Sequence, residues 1–136
     1  VVLAGGRSSR FGSDKVRIRL GEHRMIDLVI AGIGEGAPVI VVGPDPGSLP
    51  ASVALVREQP PFGGPVAGLA AALPLVTTPL LAVLAADMPA AAAHLVDLVH
   101  GIQAHADGLV PVDPSGRQQV LSAVYRVGPL AGRWIA

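Results

Sequence analysis

Three clusters of residues in the 136-residue chain have the types and spacing that chemistry on phosphates requires. The densest is Leu3-Ala4-Gly5-Gly6-Arg7-Ser8-Ser9-Arg10-Phe11-Gly12-Ser13-Asp14-Lys15. Glycines at 5, 6 and 12 let backbone amides approach a ligand closely, and the serines add donors. Arg7, Arg10 and Lys15, the only lysine of the chain, bring three cations into one short stretch. In composition this is a phosphate cradle. Its spacing is neither G-x-x-x-x-G-K-[ST] nor G-x-G-x-x-G, so it is not a Walker loop or a dinucleotide fingerprint. A solvated, flexible strand-to-helix loop is the alternative reading.

The second cluster is Asp87-Met88-Pro89, directly after seven apolar residues. A carboxylate at the carboxyl tip of a buried strand suits Mg²⁺, a hard cation usually held by one or two carboxylates plus substrate phosphates. Asp87 read as the cap of a helix starting near Ala90 is equally compatible with the local sequence. The third cluster is Pro61-Phe62-Gly63-Gly64-Pro65-Val66-Ala67-Gly68, where glycines before a proline-started helix leave amide donors exposed. Gly68 removes a side chain from the helix surface, either to admit something flat or to let helix and strand pack closely.

Other chemistries lack their residues. There is no cysteine, so thiolate metal sites, disulfides and cysteine nucleophiles are absent, which agrees with a cytoplasmic location. His94, His100 and His105 do not share a helical face, no H-E-x-x-H or G-x-S-x-G occurs, and Asp97 one turn after His94 reads as a local surface pair. Ten basic and ten acidic residues balance to zero, which gives no field for a nucleic acid. The apolar stretches are too short or too interrupted for a membrane span or a signal peptide.

The elements that must position these clusters follow from hydrophobic pattern. Pro38 to Val42 and Leu80 to Ala86 are continuous branched runs, as strands covered on both faces require, and Val1 to Ala4 reads as part of a third. Apolar residues at i, i+3, i+4 and i+7 mark helical stripes at Ile26-Val29-Ile30-Ile33, Val66-Leu69-Ala70-Leu73 and Leu95-Leu98-Val99-Ile102. Gly34 and Gly36 close the first helix, and Pro74 stops the second. The order is strand, long loop, helix, strand, strand, helix, strand, helix. This alternation predicts an α/β fold with a doubly wound, mostly parallel sheet and helices on both faces. Leu109 to Val112 and Val120 to Val127 flank the turn signature Asp113-Pro114-Ser115-Gly116 and read as a hairpin, so the sheet is expected to be mixed. One domain is expected over 1–136.

Taken together, the clusters resemble a known family. Leu3 to Lys15 resembles the L-A-G-G-x-S-x-R-x-G-x-D-K signature of nucleotidyltransferases. With Gly64-Pro65-Val66-Ala67-Gly68, Ala86-Asp87-Met88-Pro89 and the late stretch Leu121-Ser122-Ala123-Val124-Tyr125-Arg126, the chain is similar to the molybdenum cofactor guanylyltransferases, the MobA-like group, from Leu3 to about Arg126. The resemblance implies a Rossmann variant like the nucleotide-diphospho-sugar transferases, with a nucleotide-binding part over about 1–90 and an acceptor-binding part over about 91–136. It implies Mg²⁺-dependent transfer of GMP from GTP to molybdopterin or Mo-molybdopterin, with transient contacts to other molybdenum cofactor proteins.

The family's nucleotide contacts carry over to Leu3, Ala4, Gly5, Gly6, Lys15, Gly43, Gly64, Pro65 and Gly68, with Asp87 as magnesium ligand and Lys15, Arg10 and Asp87 as catalytic groups. The family's acidic base contact falls at Gln59 with Glu58 beside it, so that contact passes to Glu58 or is changed. Gly43 replaces a side chain that the family often uses, Val120 stands where a proline is usual, and the family's final segment is not recognisable before Ala136. Alternatives of the same fold are a molybdopterin cytidylyltransferase or a sugar- or lactate-phosphate guanylyltransferase. A non-catalytic nucleotide-binding accessory protein is the alternative of a different class.

Overall fold

The computed structural model describes residues 1–6 and 15–135. Its strands are β1 (Val2–Leu3), β2 (Arg19–Leu20), β3 (His23–Arg24), β4 (Val39–Val42), β5 (Val53–Val56), β6 (Leu80–Ala85), β7 (Gly108–Leu109) and β8 (Ser122–Arg126). The helices are α1 (Met25–Ile33), α2 (Gly64–Ala72), α3 (Pro89–Ala92), α4 (Leu95–Gly101) and α5 (Val127–Ile135). Six strands form one sheet in the order β5-β4-β1-β6-β8-β7, and β2 and β3 form a separate antiparallel ribbon. β5, β4, β1 and β6 run parallel, whereas β8 is antiparallel to both of its neighbours. The doubly wound, mixed α/β sheet expected from the pattern is the observed one.

Strand alternation divides the core into two layers. Val2, Val39, Val41 and Leu84 face α1 and α3 together with Ile26, Val29 and Ala92. Leu3, Ile40, Val42, Leu81 and Val83 face the opposite way, against Leu69 and Ala72 of α2 and against Val127 and Leu130 of α5. All four residues of β4 are buried, which is why its sequence is apolar without alternation. Each fully buried aliphatic such as Ile26 or Leu84 contributes roughly 1.5–3 kcal/mol of transfer free energy.

Chain order fixes where a ligand can enter. From β1 the chain steps to β4 and β5 on one side, then crosses to β6 on the other. The reversal falls between β1 and β6, where Leu3 lies opposite Ala85 and the Ala86 amide donates to the Leu3 carbonyl at 3.0 Å. Sheets of this kind bind ligands outside the carboxyl ends of the strands at such a switch point.

Several expectations need correction. The region read as one long loop before α1 contains a 3₁₀ turn (Lys15–Arg17) and the β2–β3 ribbon, with Val16 buried against Ile26 and Val29. The buried stripe of α2 is Gly68, Leu69 and Ala72, while Val66 is 62% exposed. The helix is rotated so that its glycine, with no side chain to hold it off, lies against the sheet. The α4 stripe is only half-buried, with no residue fully covered. β8 ends at Arg126, and Val127 opens α5, a helix the pattern did not predict. The terminal hairpin is broken: β7 pairs with β8 over Gly108 and Leu109, and the ladder resumes only as a bridge between Val112 and Gln118. The turn itself is present, with the Gly116 amide donating to the Asp113 carbonyl at 2.9 Å.

Candidate active site

The carboxyl ends of β1, β4, β5 and β6 surround a cavity of about 620 Å³, within the size range of small-ligand pockets. Leu3, Gly5 and Gly6 line it from the end of β1. Glu58 lines it from the loop after β5, and Gly64, Pro65 and Gly68 from the start of α2. Three apolar contributors were not singled out by the sequence: Val42, Ala85 and Leu121. Leu121 reaches the site because β8 is antiparallel and therefore begins at the rim where the parallel strands end.

The floor of the cavity is backbone packed on backbone. The Val42 carbonyl accepts from both the Ala4 amide (2.8 Å) and the Gly5 amide (3.1 Å). The Gly5 amide is thus committed to the sheet, and what Gly5 offers a ligand is the lack of a side chain: a Cβ there would stand 3.0 Å from Glu58 Oε1. Gly43 has φ +146°, and a Cβ would come within 2.7 Å of the Gly5 nitrogen and 2.8 Å of the Ala4 carbonyl carbon. No L side chain fits between these strand ends, so glycine at 43 is a packing requirement of this chain. Ala4 and Gly43 form the support beneath the lining. Gly68 serves both readings given to it, since it lines the cavity while a Cβ there would meet Leu3 at 3.2 Å and Val42 at 3.4 Å.

Adjacent residues 58 and 59 part company. Glu58 is 5% exposed and points inward; Gln59 is exposed and absent from the lining. The Phe62 amide donates to Glu58 Oε1 at 3.1 Å, whereas the buried Oε2 has no hydrogen-bond partner among the described residues. A buried acceptor left unsatisfied costs about 1–3 kcal/mol, more when charged, so this carboxylate gains from any donor that reaches it.

Asp87 stands two residues beyond Ala85, at the tip of β6, half-buried. The cap position of α3 falls on Met88, which makes no side-chain cap bond, so Asp87 lies outside that position. Ser122, buried at the start of β8, donates its hydroxyl to the Met88 sulfur at 3.8 Å and ties this turn to the sheet. Among the described residues no three His, Cys, Asp or Glu side chains come together as a metal cage. A single carboxylate ligand such as Asp87 still fits a cation whose remaining ligands are phosphate oxygens and water. Arg7 and Arg10 lie outside the described residues, as does the Lys15 side chain; the Lys15 backbone opens the 3₁₀ turn that anchors Val16.

The sequence and fold that build this glycine-walled cavity have counterparts among known proteins. The sequence profile of the MobA-like NTP transferase domain matches residues 1–135. The chain belongs to that family. Relatives of this MobA-like domain include the probable molybdenum cofactor guanylyltransferase of Chloroflexus aggregans, 35% identical over 96% of this chain and 66% of that protein. The probable molybdenum cofactor guanylyltransferase of Mycobacterium tuberculosis is 36% identical over 93% of this chain and 66% of that protein. The MobA-like chain therefore spans just under two thirds of the length of the curated relatives it matches.

Among solved structures, molybdopterin-guanine dinucleotide biosynthesis protein A from Archaeoglobus fulgidus superposes with a TM-score of 0.67 at 25% identity, covering 96% of this chain and 68% of that one. The 2-C-methyl-D-erythritol 4-phosphate cytidylyltransferase of Thermus thermophilus also gives 0.67, at 19% identity over 96% of this chain and 72% of that one, a likeness of fold alone. In the MobA-like chain no helix among the described residues is long and apolar enough to cross a membrane.

Proposed function

We propose that this domain transfers GMP from GTP to the terminal phosphate of molybdopterin, giving the guanine dinucleotide and pyrophosphate. The observation that carries the reading is Glu58, a buried carboxylate with one oxygen anchored and one unpartnered among the described residues, at the wall of the cavity. A carboxylate only accepts hydrogen bonds. The Watson–Crick edge of guanine presents N1–H and the 2-amino group side by side, both donors. Adenine presents an acceptor at N1 and cytosine an acceptor at N3, each repelled by a carboxylate. A buried group left unpaired by the wrong base rejects that base strongly. Glu58, rather than Gln59, takes the base-recognition role in this reading.

Leu3, Gly5, Gly6, Gly64, Pro65 and Gly68 enclose the nucleoside, and Ala4 and Gly43 shape the floor beneath it. An oxygen of the acceptor's phosphate monoester attacks the α-phosphorus, the bond from α-phosphorus to the β-bridging oxygen breaks, and the electron pair leaves with pyrophosphate. A phosphate monoester is already anionic near neutral pH, so no side-chain general base is required, and catalysis rests on alignment and charge neutralisation. Lys15 balances charge developing between the α-phosphate and the departing pyrophosphate, and Arg10 supports the loop or the leaving group. Asp87 would hold Mg²⁺, which when bound neutralises phosphate charge. Residues from about 91 onward receive the acceptor, with Leu121 at the boundary between the two halves.

Pyrophosphate release in the presence of Mg²⁺ and molybdopterin tests the proposal. GTP is expected to support turnover and CTP to support little, with Asp87→Asn lowering kcat by two or more orders of magnitude while the circular dichroism spectrum is unchanged. Turnover with CTP exceeding that with GTP would sink the guanine assignment. GTP binding without release on any molybdopterin substrate would reassign the chain as a non-catalytic nucleotide-binding protein, and near-normal release by Asp87→Asn would remove that carboxylate from the mechanism.

A further inference from the structure

Among the described residues, Phe62 is the one non-glycine with a left-handed backbone, φ +66°. A bulky aromatic residue adopts that conformation only where its surroundings hold it, and such residues gather at ligand sites. Here the conformation has two visible effects. It turns the Phe62 amide back onto Glu58 Oε1 at 3.1 Å, and it leaves the residue 51% exposed on the cavity lining. The chain has only four aromatic residues, so a half-exposed phenylalanine at this wall is not generic surface.

We infer that Phe62 is a positioning and specificity residue for the purine, an inference that rests on the GTP reading of the same cavity. Its ring supplies the flat face on which the base stacks, opposite walls that glycines keep bare. Its amide fixes the rotation of the Glu58 carboxylate: with Oε1 held, the side chain keeps one orientation at the cavity wall. A carboxylate with both oxygens free could rotate to suit other donor patterns; one that is pinned selects a single pattern. One residue therefore sets affinity through its side chain and supports selectivity through its backbone.

Nucleotide binding without acceptor, followed by equilibrium dialysis on the intact chain, separates these roles. Phe62→Gly retains the amide and tolerates positive φ while removing the ring. It is expected to raise the Kd for GTP roughly tenfold, the size of one base-on-aromatic stack, while the preference for GTP over ATP is kept. Phe62→Leu, which keeps apolar bulk without a flat face, gives the same loss and carries the test if the glycine variant does not fold; Phe62→Tyr restores wild-type affinity. Glu58→Gln instead collapses the GTP-over-ATP preference and moves the amide proton resonance of Phe62. Wild-type GTP affinity in both Phe62→Gly and Phe62→Leu, with Glu58→Gln impaired, overturns the role of Phe62 and leaves the base site standing. Loss of the GTP-over-ATP preference in Phe62→Gly overturns the division between ring and amide. Unchanged binding in all of these variants overturns the guanine reading of the cavity itself.

Discussion

At the scale of single residues, the site is shaped in part by side chains that are missing. Gly5 and Gly43 bring the ends of β1 and β4 together, and the space a methyl group would fill at Gly5 is where Glu58 Oε1 approaches. Gly43→Ala combines a strained φ with contacts under 3 Å to backbone that cannot move without opening the sheet. The variant is expected to lose roughly 2–4 kcal/mol of stability, read as a lowered denaturant midpoint with unchanged slope. A midpoint equal to that of the wild type would mean that the strand ends yield more easily than their spacing implies. The sequence made the glycines at 5, 6, 64 and 68 and the carboxylate at 87 stand out, because loops after apolar runs are where such residues are unusual. It left 58 and 59 undecided, because neighbours in an irregular segment point in different directions and only the path of the chain says which one faces in. Phe62 falls inside the third cluster but had no role assigned there, since positive φ is invisible in the residue type.

At the scale of elements, the segment between β7 and β8 contains a loop organised by one carboxylate. Asp113 Oδ1 accepts from the Ser115 hydroxyl (2.6 Å) and from the amides of Ser115 and Arg117, while Oδ2 accepts from Gln119 Nε2 at 2.8 Å. These bonds, the Ser115 hydroxyl foremost and the Arg117 amide next, hold its carboxyl below the usual 3.8. A depressed value means the folded loop favours the ionised form. Its stabilisation is complete above the ordinary carboxylate value and is lost as pH falls through the lower folded one. Acidification below about pH 4 should therefore release the Ser115 and Arg117 amides, seen as chemical-shift changes that Asp113→Asn abolishes. Shifts of the same size in Asp113→Asn would place the sensor elsewhere.

Elements were legible in proportion to how evenly they are buried. β4 and β6 show as unbroken apolar runs because both of their faces are covered. The two-residue strands β2 and β3 carry arginines and a histidine and rest on no core, so no periodicity marks them. The helix α5 was hidden by Gly128, Pro129 and Gly132, which read as breakers, although Pro129 sits in the first turn where a missing amide is harmless.

For the molecule as a whole, zero net charge is compatible with the proposed triphosphate ligand, because three of the ten basic residues fall within positions 7–15. Under the GTP reading, ligand binding is linked to folding of the entire sheet, since the cavity wall draws on β1, β4, β6 and α2 at once. Saturation at a hundred times Kd adds about 2.7 kcal/mol, which for a domain of this size raises Tm by roughly 10 °C. Calorimetry with GTP, and with CTP at equal concentration, checks this; equal shifts for the two would argue against base recognition by Glu58.

The reversal of direction at β8 has a consequence for how such a molecule can change. Leu84 and Ser122 are opposite partners on adjoining strands, so the chain between them departs and returns about one strand spacing apart, contributing to the sheet on the way only the edge strand β7. Only α3, with Ala92 packed against α1, is rooted in the shared core near the exit. The stretch from Ala93 to Val120 is thereby open to variation in length: closing a loop of twice its length across the same gap adds only about 0.6 kcal/mol, and β1, β4 and β6 keep their register throughout. Under the proposed function, specificity for the second substrate can be rewritten there, by selection or by a designer, with the nucleotide contacts that precede residue 93 left in place.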